Sequence, residues 1–344
     1  MIADLARRAA DLGAALDVAA STLDDLRRER AGLTTATAAP DLWVDRRRAR
    51  GMLTRLARVD ERIGRYTELR RRLDDVTALL ELVAAERMDD GPADRADDKT
   101  AALVADLAAD LAALAGPVND LEILSLLTDP DDERHALVEI EAVDLDPDGL
   151  DFVDPVGALL AAYLDWAAWR GHPTEVHRRR FRGWSGLRSA VLTVAAPYAY
   201  GRLAAETGTH RLTATYSPDG LPRTAAAVVR VLPVAVPGDH VDVRDRDVRV
   251  DQPRLSATDC SGRYRDTMVI LTHLPTGIRA SSQHPGPGWT VARSAWRELR
   301  TRLLAAGRGT DDRPSGEVRA YEEPPGAEAL ERLLREAVRR RVTG

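Results

Sequence analysis

The chain has 344 residues, 44% hydrophobic and 30% charged, and a formal net charge of −6. That length predicts roughly two to four domains, and the balance excludes a disordered or collagen-like chain. The acidic net charge excludes indiscriminate coating of nucleic acid but leaves room for a local basic face. The single cysteine, Cys260, excludes an intramolecular disulfide and a cysteine zinc cluster.

Met1-Ile2-Ala3-Asp4 leads into charged amphipathic sequence without the apolar core of a signal peptide. No run of about 18 apolar residues is read, so a cytoplasmic protein with no membrane partner is expected. Residues 2–30 and 41–88 are predicted as long helices, with Ala38-Ala39-Pro40 breaking the pair and Asp41 placed to cap the second. In that second helix Leu56, Val59, Ile63, Tyr66, Leu69, Leu73, Val76, Leu80 and Val83 step by three and four, which puts one apolar stripe along it. After the polar break at 88–94, a third helix is predicted from about Asp97 to Ala115, stopping before Gly116-Pro117.

ALVEIEAV, residues 136–143, alternates as a strand does, and an acidic run from Asp144 to Asp154 separates it from an amphipathic helix over 155–170. The strongest basic cluster of the chain follows: His177, Arg178, Arg179, Arg180, Phe181, Arg182, then Trp184 and Arg188. Such a run reads either as a solvated face or as arginines and aromatics gripping RNA. Strands are predicted over 189–195 and 228–234, and between them lies Tyr216-Ser217-Pro218-Asp219-Gly220-Leu221-Pro222-Arg223-Thr224. Asp247–Asp251 alternates as a strand, and Met268 to Ile278 reads as a second, closed by the turn Leu274-Pro275-Thr276-Gly277. The loop between them contains Ala257-Thr258-Asp259-Cys260-Ser261, with Arg263 and Arg265 just beyond. A helix over 290–306, a polar linker over 307–318 and a terminal helix over 326–341 complete the chain. The six histidines besides His273 show no metal-ligand spacing, and no phosphate-cradling glycine loop or dinucleotide fingerprint is present. No metal, cofactor or small-molecule partner is expected.

Two stretches resemble a known family. Ala196-Pro197-Tyr198-Ala199-Tyr200-Gly201 with Gly208-Thr209-His210-Arg211-Leu212 is similar to the Gly-Pro-Tyr-Ala-Tyr-Gly and Gly-Val-His-Arg-Leu of bacterial class I peptide chain release factors, and the frame 271–278 is similar as well. The helix entered at Leu42-Trp43 resembles their N-terminal domain, although composition alone reads it as a generic helical bundle. The UGA-reading branch is the nearer one. The resemblance implies an α+β multidomain fold: an N-terminal helical domain over 1–115, and a codon-recognition-like α+β domain over 118–240, joined by 313–344. A peptidyl-transferase-centre domain occupies 241–312.

It also implies ribosome binding, and here the loops depart from the pattern. The family loop carries Gly-Gly-Gln, which aims a main-chain N–H at the developing oxyanion and positions a water. That tripeptide occurs nowhere in this chain. Counting from the left strand puts Ser261 at the glutamine position, and counting from the right puts Cys260 there. No histidine lies within about ten residues of Cys260 to activate its thiol. In the codon-reading loop Ser217-Pro218 stands, but Asp219 replaces an aromatic and no histidine precedes Thr224. The expectation from these losses is a non-enzymatic relative that docks on the ribosome through Arg178, Arg179, Arg180, Arg182, Trp184, Arg188, Arg263 and Arg265, and regulates or protects it. The alternatives are an unorthodox hydrolase of peptidyl-tRNA, using Ser261 or Cys260, and a protein-binding scaffold. A different RNA, or a protein, stands as the other kind of partner.

Overall fold

A computed structural model of the chain describes residues 1–89, 98–143, 153–181, 186–214, 223–236, 239, 241, 243–253, 267–284, 287–308 and 318–343. It divides into two compact units, Met1–Leu126 and Leu127–Gly344.

The first unit is helical. Helices α1 (Ile2–Ala20) and α2 (Leu23–Thr37) stand where one helix is expected. The break falls at Ser21-Thr22, whose hydroxyls donate back to the Val18 and Ala19 carbonyls and so compete with helical continuation. A 3-10 turn covers Pro40–Val44, and α3 runs from Arg46 to Asp89. Its cap is Asp45 rather than Asp41, with Asp45 Oδ1 accepting from the Arg48 N–H at 3.1 Å.

Helix α4 (Asp98–Leu126) passes through Pro117 instead of stopping before it. A proline inside a helix costs about 3 kcal/mol. Leu114, Val118 and Leu121 are buried around it, at roughly 1.5–3 kcal/mol each, so packing wins. The predicted stripe of α3 is the core: Leu69, Leu73, Val76, Leu80 and Val83 meet Leu5, Leu12 and Leu16 of α1 and Val104, Leu107 and Leu111 of α4. Contrary to expectation, Thr100–Leu126 is long and apolar enough to cross a membrane by length and composition. In the structure its apolar face belongs to this three-helix core.

The second unit holds two sheets. Strands β1 (Ala136–Val143), β2 (Thr174–Phe181), β3 (Leu187–Val194), β4 (Gly208–Ala214), β5 (Arg223–Pro233) and β9 (Val318–Tyr321) form one sheet in the order β2-β3-β1-β5-β4-β9. Neighbours are antiparallel except β4 and β9, which run parallel. Helices α5 (Pro155–Trp169), α6 (Ala199–Leu203) and α8 (Ala327–Thr343) pack on it. Val138 and Ile140 of β1, Leu192 of β3 and Val229 of β5 bury there against Leu159, Tyr163, Trp166, Leu330 and Leu334. The second sheet, β6 (Val248–Asp251), β7 (Thr267–His273) and β8 (Arg279–His284), is covered by α7 (Gly288–Gly307). Val269 and Leu271 of β7 meet Val291, Ala295 and Leu299 of α7.

Candidate nucleic-acid interface

Strand direction decides what the six-stranded sheet presents at each end. β1 runs antiparallel to β3 and β5, and β3 to β2, so the end of β1, the β2–β3 connection and the β4–β5 connection all lie at one end. Val143 stands opposite Ala226, Phe181 opposite Leu187 and Ala214 opposite Arg223. The N-terminus of α5 is tied to the same end. Asp154 Oδ1 accepts from the Gly157 N–H at 2.8 Å, and Asp154 Oδ2 accepts from the Leu187 N–H, the first of β3, at 3.1 Å. The arginine cluster of β2 and the strand ends that flank residues 215–222, separate in the sequence, thus stand at the same end of the sheet with β1 between them.

The arginines themselves divide. As β2 is a strand, Arg179 takes the face opposite Arg178, and Arg180, on the face of Arg178, lies one residue from the end of the strand. Arg179 and Arg180 are exposed, Arg188 is exposed on β3, and none of the three has an ion pair among the described residues. Arg223 and Thr224 are exposed at the start of β5, and the Thr224 hydroxyl lies 2.9 Å from that of Thr213. Phe181 is 70% exposed, unusual for phenylalanine and suited to stacking on a base.

Arg178 turns inward instead. It donates to the Ser281 hydroxyl at 2.8 Å, and burial lowers its pKa against the pull of Glu298. It joins a charged seam between this sheet and α7, where Arg302 pairs with Glu139 at 2.8 Å and with Glu298 at 2.9 Å. Nearby, Glu175 accepts from Arg297 at 3.1 Å and from the Ser294 hydroxyl. Arg182, Trp184, Ser217, Pro218 and Asp219 lie outside the described residues, as do Ala257, Thr258, Asp259, Cys260, Ser261, Arg263 and Arg265.

What frames the second loop is described. β6 and β7 pair from Val248↔His273 to Asp251↔Ile270, which brings the two ends of the intervening segment onto adjacent strands. His273, the last residue of β7, is bonded to the turn that follows. Its Nδ1 lies 2.8 Å from the Thr276 hydroxyl, and Gly277 takes φ +71°. Among the described residues no three His, Cys, Asp or Glu side chains stand together as a metal site.

The 196–201 motif proves to be framework. The N–H groups of Tyr198, Tyr200 and Gly201 donate to the carbonyls of Glu133, Arg134 and Asp132. A Cβ on Gly201 would come within 2.9 Å of the Asp132 Cβ, and Arg341 holds the Asp132 carboxylate through bonds of 2.7 and 2.9 Å. His210 is buried, its Nε2 2.8 Å from the Glu206 carbonyl and its ring stacked on Tyr321. Burial lowers its pKa. Sequence reading missed Asp154 as a two-sided acceptor and the buried Glu298. Asp154 before Pro155 has the form of a helix cap, but nothing in the immediate sequence marks its second bond or the burial of Glu298.

The sequence family described as the PCRF domain matches residues 26–220. Proteins named peptide chain release factor 2 from Salinispora arenicola and Salinispora tropica are 38% and 39% identical over 307 residues, 88% of this chain and 78% of theirs. The protein of that name from Acidothermus cellulolyticus is 38% identical over 304 residues, 88% of this chain and 77% of its own. Among solved structures, RF2 of Thermus thermophilus matches with a TM-score of 0.60 over 93% of this chain and 96% of that chain, at 22% identity, a likeness of fold. These relatives are named for releasing the peptide chain, and they overturn the expectation that the chain is no enzyme. That expectation weighed one short loop above a likeness spread over 88% of the sequence. The chain belongs to the bacterial peptide chain release factor family.

Proposed function

We propose that this chain is a peptide chain release factor that acts on the ribosome, in the cytoplasm, and hydrolyses peptidyl-tRNA with a loop of unorthodox composition. The observation that carries this reading is the extent of the likeness to proteins named for peptide release, 38% identity over 307 residues. The antiparallel β6–β7 pair on either side of the loop supports it.

This reading requires the loop to offer an N–H to the oxyanion of the tetrahedral intermediate, the largest electrostatic contribution available to such a site. Ser261 or Cys260 takes the place of the family's glutamine. A hydroxyl both donates and accepts, so Ser261 can orient the attacking water, whereas a thiol does so weakly. Asp259 opposes the developing negative charge, so a slower release than that of a Gly-Gly-Gln loop is expected.

Arg179, Arg180, Arg188 and Arg223, with Arg182 beside them in sequence, face ribosomal RNA from the loop-bearing end of the six-stranded sheet. Arg263 and Arg265 do so from the catalytic loop. Ser217, Pro218, Asp219 and Thr224 approach the codon. Arg178 is withdrawn from that set, since its guanidinium is engaged with Ser281.

The test is direct. Purified chain is added to ribosomes carrying a UGA codon and peptidyl-tRNA, and free peptide is counted against buffer. Release above background is the expected result, and its loss in Ser261→Ala or in Cys260→Ala identifies the acting side chain. No release from the unaltered chain overturns the reading.

A further inference from the structure

The acidic run 144–154 has no part in the reading above, yet its last carboxylate holds N–H groups from two different elements. One oxygen takes the Gly157 N–H at 2.8 Å and the other the Leu187 N–H at 3.1 Å. The surroundings leave room for this and little else. A Cβ on Gly157 would lie 2.3 Å from Asp154 Oδ2, and one on Gly186 would lie 2.7 Å from Asp154 Cγ. Gly186 also takes φ +127°, where side chains are strained.

An ordinary helix cap accounts for the first bond only. The second fixes where β3 begins. Leu187 stands opposite Phe181, and Ser189 opposite Arg180, so the bonded N–H lies at the tip of the strand pair that carries Arg179, Arg180 and Arg188. β2 is the outer strand of its sheet, and the β2–β3 register shifts between Arg180 and Phe181.

We propose that Asp154 is a positioning residue for RNA contact: its carboxylate fastens the β2–β3 tip to the start of α5, so that the three exposed arginines meet a phosphate backbone already in place. A loose tip would have to be ordered on binding and would lose affinity by that amount. The proposal rests on the reading of this end of the sheet as RNA-facing.

Asp154→Ser, Asp154→Asn and Asp154→Ala separate the two bonds. Serine and asparagine still cap Gly157, but neither offers a second acceptor for Leu187. The full chain and its variants are compared by apparent Kd for UGA-programmed ribosomes, release rate at saturation and melting temperature. All three variants should raise Kd about tenfold, the scale of one hydrogen bond to a charged group, and leave the saturated release rate within about twofold. The melting temperature should fall most in Asp154→Ala, where the cap is lost as well. Gly186→Ala should raise Kd in the unaltered chain and add nothing to Asp154→Ser.

Wild-type Kd in the serine and asparagine variants, or a Kd that merely follows melting temperature, overturns the proposal and leaves a helix cap. The joint change Arg179→Ala/Arg180→Ala/Arg188→Ala serves as the control. If it leaves Kd unchanged, the RNA-facing reading falls and takes this proposal with it. If it weakens binding while the Asp154 variants do not, only the positioning role falls.

Discussion

Glu298 is 1% exposed, and burial lifts its carboxyl from the ordinary 4.5 to about 7, although Arg302 and then Arg178 pull the other way. A carboxyl raised in the folded state contributes stability that is complete below pH about 4.5, declines as the unfolded chain ionises, and is gone above about 7. The difference between pH 5 and pH 8 should be on the order of 1–3 kcal/mol, at roughly 1.36 kcal/mol for every pH unit that separates the folded from the unfolded pKa. Urea unfolding at both values checks this: Glu298→Gln should lose less stability than the unaltered chain on going to pH 8, and an equal loss in both would exclude Glu298 as the source. Arg178 stands beside it, and the two faces of β2 make opposite forecasts for neighbouring arginines. Arg178→Ala strands the Glu298 side of the seam and should cost about 1–3 kcal/mol, whereas Arg179→Ala, exposed on the opposite face, should stay within about 0.5 kcal/mol. Equal effects in thermal melts would mean that the faces are misassigned. The sequence hides this division because an arginine run shows no apolar alternation to betray the strand beneath it.

Among the elements, those legible in the sequence carry one clear period. ALVEIEAV forms β1, and the stripe from Leu69 to Val83 is the helical core. The α5 helix ends at Trp169, one residue from its predicted limit. Each element that escapes the sequence does so for a physical reason. β8, RASSQH, is small and polar yet buried, with Ser281 and Ser282 under α7, so its alternation is invisible to hydropathy. β9 is a four-residue strand after a polar stretch and takes its stability from pairing with β4. For α4 the local chemistry argues for a stop at Gly116-Pro117, and tertiary burial overrides it. Replacing Pro117 with alanine restores a missing N–H in the helix interior and should raise the stability of the helical unit, by up to about 3 kcal/mol. A lower melting temperature for Pro117→Ala would show that the packing of the proline ring outweighs the missing N–H.

At the scale of the whole molecule, the family is legible because its framework motifs are structural necessities: the backbone of 198–201 is bonded to 132–134, and His210 is locked between Glu206 and Tyr321. The activity is misread from sequence when the absence of a tripeptide is taken as the absence of its chemistry. The candidate RNA-facing end is legible only in pieces. Its arginines on β2 and β3 and Arg223 at the start of β5 are separated in sequence and come to one end of the sheet through strand order alone. That end makes a collective forecast. Replacing Arg179, Arg180 and Arg188 with alanine should lower the magnitude of the salt slope of log K for ribosomes by roughly 0.7 to 0.9 for each phosphate no longer neutralised. An unchanged slope, measured between low and moderate salt, would place the RNA-binding face elsewhere.

The three-stranded sheet and α7 lie in the chain between β5 and β9, so the larger sheet is interrupted and resumed. Its edge partner β9 and the core residues Leu330 and Leu334 of α8 come only after the interruption, as does Glu331, which accepts from the buried Trp166 at 2.7 Å. A ribosome making this protein therefore emits most of the larger sheet long before the residues that finish it. Until they emerge, Trp166 and Arg202 wait without their carboxylate, so the nascent chain carries an open core that a chaperone would find and a protease would cut.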